Sequence, residues 1–156
     1  INVTGGKMVV KDQTRISDGE FGVTMQGGNL KMIDSSLSNL TSSGVIALDC
    51  ELISLKDTKI ADCKVRGMTV DGGNLRIEGG SIQGCQDSGI YAGDLFVRGE
   101  IIGTAFTDNL GAAIIQESGR LDGTDLSIAG SEIGLLIRSA EESPTKTGLI
   151  GSRASR

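Results

Sequence analysis

The sequence contains no histidine and no tryptophan, a single proline and only four aromatic residues, three phenylalanines and one tyrosine. Without histidine the chain lacks the usual general base near neutral pH and the commonest metal ligand. With so few aromatics the core must be built from medium-sized aliphatic side chains, and a broad sugar-stacking platform is excluded. No apolar run approaches the roughly 18 residues needed to cross a bilayer, so membrane insertion by this segment is not expected. Nor does a clustered basic surface emerge from a net charge of −5, which argues against a nucleic-acid partner. Three cysteines cannot all pair with one another, and no disulfide is expected. The chain opens on Ile1 rather than methionine, as a processed or excised piece would.

What is abundant is glycine, 24 residues in 156, about twice the usual share and without a collagen period. Such a composition calls for many tight turns. The turns prove to be periodic. A first apolar pulse runs through Met8/Val10, Leu30/Met32, Ile53/Leu55, Leu75/Ile77, Leu95/Val97 and Leu121. A second follows Ile16, Leu37, Ile60, Ile82, Phe106 and Leu126, and a third Val23, Val45, Met68, Ile90, Ile114 and Leu135. Successive members lie about 22 residues apart. Within a pulse the apolar residues alternate at i and i+2, which is strand spacing, and Gly, Asn, Asp and Ser fill the breaks.

Three short strands per repeat predict an all-β right-handed parallel β-helix, a solenoid of about six coils of about 22 residues, over residues 1–138. A leucine-rich repeat has the same period, but its Leu-x-x-Leu-x-Leu core is missing, as is the hexapeptide rhythm of a left-handed helix. Coil five is expected to carry an insertion around Glu100–Gly103, and residues 139–156 read as a linker or flexible tail. Ile1-Asn2-Val3 can begin a further strand. Neither end offers an amphipathic helix as a cap, so further coils, another domain or a partner chain are expected to continue the stack.

Several columns of residues invite a functional reading. Asp12, Asp34 and Asp57 each follow the first pulse by two residues in three consecutive coils. Stacked carboxylates can hold a hard cation such as calcium or act as an acid/base pair on a glycan. They can equally be turn formers that bond the local backbone, with Lys11 and Lys56 beside them. No metal or cofactor is assigned. Asp18, Asp62 and Asp108 form a similar, interrupted column, with Asp87 just beyond it, and turn chemistry suits them. Cys63 and Cys85 share a register, continued by Asn109 and Ala129, and read as small buried thiols rather than a bridge. Cys50 follows a strand at a turn, with no obvious mate. Gly22, Gly44, Gly67 and Gly89 precede the third strand and are expected at a corner that needs positive φ. Residues facing outward in the first strand, Val9, Lys31, Ser54, Arg76 and Phe96, are too mixed for an ice-matching surface.

The segments Gly-Gly-Asn-Leu-Arg-Ile-Glu-Gly-Gly-Ser-Ile-Gln-Gly (72–84) and Phe-Gly-Val-Thr-Met-Gln-Gly-Gly-Asn-Leu-Lys-Met (21–32) resemble the repeats of bacterial autotransporter passenger domains with a pectate-lyase-like β-helix. The resemblance spans about residues 5–138. It implies a structural or adhesive surface module, extracellular or on the bacterial cell surface. Its partner would be a host-cell surface protein, matrix component or glycan, and the module would not be an enzyme. Two alternatives stand beside it, a carbohydrate-active lyase or hydrolase-like β-helix and a phage tail-spike or assembly component. The Asn-Thr-Asp, Asp-Asp and Gly-His-Gly motifs of polygalacturonase-type hydrolases are missing, and Asp34, Asp57 and Arg76 only partly match a lyase's calcium ligands and basic residue.

Overall fold

The computed structural model describes residues 1–138, 146–150 and 153–155. The chain winds in rounds of three strands, one round per coil. These are β1 (Asn2–Thr4), β2 (Lys7–Val10) and β3 (Arg15–Ser17), then β4 (Val23–Gln26), β5 (Asn29–Ile33) and β6 (Ser36–Leu40). The third coil holds β7 (Val45–Leu48), β8 (Leu52–Lys56) and β9 (Lys59–Cys63), and the fourth β10 (Arg66–Asp71), β11 (Gly73–Glu78) and β12 (Ser81–Gln83). Coil five holds β13 (Ser88–Ala92), β14 (Phe96–Ile102) and β15 (Ala105–Thr107), and coil six β16 (Ala112–Gln116), β17 (Arg120–Thr124) and β18 (Ser127–Ala129). The last round is β19 (Ile133–Ile137), β20 (Lys146–Ile150) and β21 (Arg153–Ser155).

First, second and third strands of the rounds assemble into three parallel sheets of seven strands, called A, B and C in that order. This is the expected β-helix of about six 22-residue repeats. Inward residues of like register stack on one another: Leu30 on Ile53 on Leu75 in sheet B, Leu37 on Ile60 on Ile82 in sheet C, Val45 on Met68 on Ile90 in sheet A. These nine side chains are almost wholly buried. Each removes apolar surface worth about 1.5–3 kcal/mol from water, and the column form makes the core continuous through the stack.

Corners are set by backbone conformation. The residue linking sheet B to sheet C has φ of 60° at Asp12, 46° at Asp34, 47° at Asp57, 66° at Gly79, 61° at Gly103 and 53° at Asp125. Glycine adopts this region freely, and Asp and Asn do so at lower cost than other side chains. Of the ten non-glycine residues at positive φ among the described residues, eight are aspartates, so much of the chain's acidity is turn chemistry.

The structure corrects the sequence reading in six places. Gly22, Gly44, Gly67 and Gly89 do not have positive φ. They are glycine because the chain passes too close to its neighbour. A Cβ at Gly67 would lie 2.7 Å from the Gly89 carbonyl oxygen and 2.4 Å from Ile82 Cγ2, and Gly22, Gly44 and Gly89 meet the next coil in the same way. In coil five, Gly99 and Ile101, not Leu95 and Val97, align with Leu75 and Ile77. The extra residues therefore precede β14's paired part, with a register shift at Gly73/Asn74, and Leu95 and Val97 are 61% and 58% exposed. Phe96, expected outside, is buried. Its ring end occupies the space above Gly99, 2.8 Å from where a Cβ would be, and Glu100 takes the outward place beside Arg76.

In sheet C, Ile128 rather than Leu126 aligns with Phe106, and Ala129 pairs with Thr107 instead of extending the Asn109 column. Finally, residues 146–150 and 153–155, within the segment read as a tail, form β20 and β21 and pair with β17 and β18. Those strands would otherwise leave unpaired edges, a strong drive for a short segment to add on. Residues 139–145, 151–152 and 156 of that segment lie outside the described residues.

Candidate functional site

The Asp12, Asp34 and Asp57 column is divided by one residue. Coil one places two residues at positive φ in its corner, Asp12 and Gln13, where coils two and three place one. Asp12 is drawn aside to an exposed ion pair with Lys11 (3.3 Å). Asp34 and Asp57 remain together on one open cavity of about 270 Å³, with Gln13 in the place of the third carboxylate. Among the described residues no three His, Cys, Asp or Glu side chains are close enough to hold a metal ion. The backbone N–H groups of Asp34 and Asp57 donate to Lys56 and Glu78 carbonyls of the next coil, so these corners belong to the ladder.

Asp18, Asp62 and Asp108 also sit at positive φ, in the second set of corners. Cys50, Cys63 and Cys85 are free and buried. The neighbouring Cys63 side chain, together with burial, pushes the Cys85 thiol up, which keeps it protonated and inert at neutral pH. Asn109 closes this column: its Oδ1 accepts from the Cys85 N–H (3.2 Å) and its Nδ2 donates to the Ile82 carbonyl (3.1 Å).

A different arrangement occupies the outer face of sheet A. There the outward column reads Thr24, Ile46, Thr69, Tyr91, Ile115 and Leu136. Tyr91 is the chain's one tyrosine. The guanidinium of Arg66, at the start of β10, lies 4.0 Å from the centre of its ring, a cation–π contact. Arg66 Nε donates to Asp87 Oδ2 at 2.7 Å. Its two Nη groups make no hydrogen bond among the described residues. The side chain is thus fixed from two directions, with the fork end of the guanidinium available.

Three carboxylates act on the phenol. Burial raises the Tyr91 hydroxyl above its ordinary value; Glu117, Asp94 and Asp71 add to the rise and Arg66 opposes it. Glu117 is held by Arg138 at 3.2 Å. Asp71 Oδ1 accepts the Leu95 N–H at 2.9 Å, which ties the inserted residues of coil five beside Tyr91. The site therefore offers one anchored donor fork, one protonated phenol and three carboxylates that accept hydrogen bonds.

None of these residues was singled out for this role by sequence. Arg66 and Tyr91 stand on adjacent coils, and outward positions follow no period. The one available signal was Tyr91 itself, a lone aromatic at an outward strand position. By contrast the arginines on sheet B's outer face are matched by carboxylates: Arg76 binds Glu78 and Glu100, and Arg120 binds Asp122 at 2.8 Å. Arg76 holds Glu78, and Arg120 holds Asp122, below the usual carboxylate range.

The winding and the three-sheet cross-section define a class, and the family comparison agrees. The model described as "Right handed beta helix region" matches residues 1–133, and the chain belongs to that family. Among solved structures it is similar to the periplasmic alginate epimerase AlgG, with a TM-score of 0.63 and 11% identity. The match covers 99% of this chain and 43% of that one, and at this identity it shows a shared fold. Comparison with curated protein sequences finds no significant match.

Proposed function

We propose that this chain is a carbohydrate-binding β-helix module acting outside the cytoplasm, with the outer face of sheet A as its saccharide surface. The observation that carries the reading is the Arg66–Tyr91 arrangement, in which an anchored guanidinium keeps its fork free against the ring of a tyrosine whose hydroxyl feels three carboxylates. Carboxylates accept bonds from sugar hydroxyls, and an arginine fork takes a carboxylate in two parallel bonds. A glycan with vicinal hydroxyls and a uronic-acid group satisfies both. Similarity of fold to a periplasmic alginate epimerase supports a saccharide ligand and an extracytoplasmic location. The narrower expectation of an adhesin on an autotransporter stalk is compatible with a glycan partner, although fold similarity does not favour it.

The test uses alginate oligosaccharides against a neutral oligosaccharide of equal length. Saturable binding of the uronate oligomer at the sheet A face, read from the emission of Tyr91 and weakened at least tenfold in Arg66→Gln, is the expected result. Equal binding by Arg66→Gln removes the reading.

A catalytic reading has one specific observation behind it. Tyr91 stays protonated beside carboxylates, so a proton donor and acceptors share one surface. If the module turns sugar over, proton NMR of the incubated polyuronate will show altered anomeric signals, and Tyr91→Phe will lose them.

A further inference from the structure

The corner between sheets B and C in the first three coils contains two cations that the fold does not explain. Arg15, Ser36 and Lys59 are aligned on β3, β6 and β9, all outside the core. Arg15 and Lys59 form no ion pair among the described residues, in contrast to the arginines of sheets A and B. Ser36 Oγ, between them, makes no hydrogen bond there either. Adjacent strands are about 4.8 Å apart, so the two cations rise from backbone positions roughly 10 Å apart. In the next three coils the same column carries only Ser81, Ala105 and Ser127.

The three residues line both the cavity of about 270 Å³ that Asp34 and Asp57 enter and a neighbouring one of about 350 Å³. The two spaces share Arg15, Ser36 and Lys59. Ser35 is occupied, because its hydroxyl donates to the Ile33 carbonyl at 2.7 Å, which leaves Ser36 as the hydroxyl presented to the groove.

We infer that this groove is a second ligand site, for a sugar residue bearing one anionic group, a carboxylate or a sulfate ester. The anion sits between Arg15 and Lys59 over the Ser36 hydroxyl, with charge-assisted bonds from both sides. Asp34 and Asp57 accept bonds from the ring hydroxyls on the sheet B side. A free small anion would meet Asp34 and Asp57, and Asp62 in the second space, without compensation, whereas a sugar brings donors to them. The site lies on a different sheet from Tyr91 and does not depend on the reading given to that face.

Amide-resolved NMR on the whole chain tests it, because shifts at Ser36 and Lys59 are separate from those at Tyr91. The probes are a uronate oligomer, a sulfated oligomer, a neutral oligomer and inorganic sulfate. Saturable shifts at Ser36 and Lys59 with one or both charged oligomers are expected, and which of them binds identifies the anionic group. Affinity should fall at least tenfold in Arg15→Gln with Lys59→Gln, with no change of melting temperature, and Arg66→Gln should leave these shifts intact. Shifts with inorganic sulfate alone, equal shifts with the neutral oligomer, no shifts with any probe, or indifference to the double substitution would each overturn the inference.

Discussion

On the outer face of sheet A each cation is matched: Arg66 by Asp87 and Arg138 by Glu117. At the corner of sheets B and C, Arg15 and Lys59 stand unmatched among the described residues. Both surfaces rest on the same ladder of coils, so the difference arises outside the core. A matched arginine is oriented in advance and gives geometric selectivity. Exposed, unmatched cations bond an anion at short range, and salt screens those bonds. Binding near Tyr91 should therefore be selective and only weakly salt-dependent. At Arg15 and Lys59 it should be less selective and fall steeply as ionic strength rises.

The largest effect comes from breaking what the two surfaces share. Gly67→Val places side-chain atoms against the Gly89 carbonyl and Ile82, with backbone unable to retreat. A loss of about 3 kcal/mol or more is expected, by the overpacking and backbone mechanisms together. Denaturant unfolding would show it, and both surfaces should lose binding at once.

Asn109→Ala comes next. It strips a partner from the buried Cys85 N–H and the Ile82 carbonyl, which should cost about 1–3 kcal/mol. The same unfolding experiment reads it, and binding at both faces should survive at low temperature.

A smaller effect separates the faces by pH. Tyr91's folded pKa is raised above the ordinary 10.0, so the protonated phenol is the form that folding favours. Its contribution is whole below the ordinary value and is lost as pH rises through the folded value. Stability should thus decline above about pH 10 more steeply in the native chain than in Tyr91→Phe. With one tyrosine and no tryptophan, absorbance near the phenolate band reports this group alone. Its midpoint should lie above 10.0, and move higher still in Arg66→Gln.

The smallest effect lies on sheet B. Arg120→Gln removes an exposed pair with Asp122 and should leave the melting midpoint and both binding surfaces unchanged.

The coil itself was legible because its inward residues obey two periods at once, alternation within a strand and about 22 residues between strands. Ile60, Ile82, Met68 and Ile90 each satisfy both, and each stands where those periods put it. Leu95 and Val97 mimic the alternation, whereas the true partner of Leu75 is Gly99, which has no apolar side chain to reveal it. Phe96 supplies the missing volume from three residues away, a substitution no local pattern encodes. Gly67 could be located but not explained, because close approach between coils and positive φ ask for the same residue. Asp34 and Asp57 were visible as a column, yet Gln13 removed Asp12 from it by adding one residue to a corner. Arg66 and Tyr91 were not legible, since nothing in the core constrains what an outward position holds.

Tyr91 fluorescence, the chain's one tyrosine signal free of tryptophan, tests the saccharide surface most directly. Titration with alginate oligosaccharides should change the emission saturably, with the response weakened at least tenfold in Arg66→Gln and absent with a neutral oligomer. An emission that stays flat while the oligomer binds elsewhere, or that responds equally in Arg66→Gln, would contradict the account.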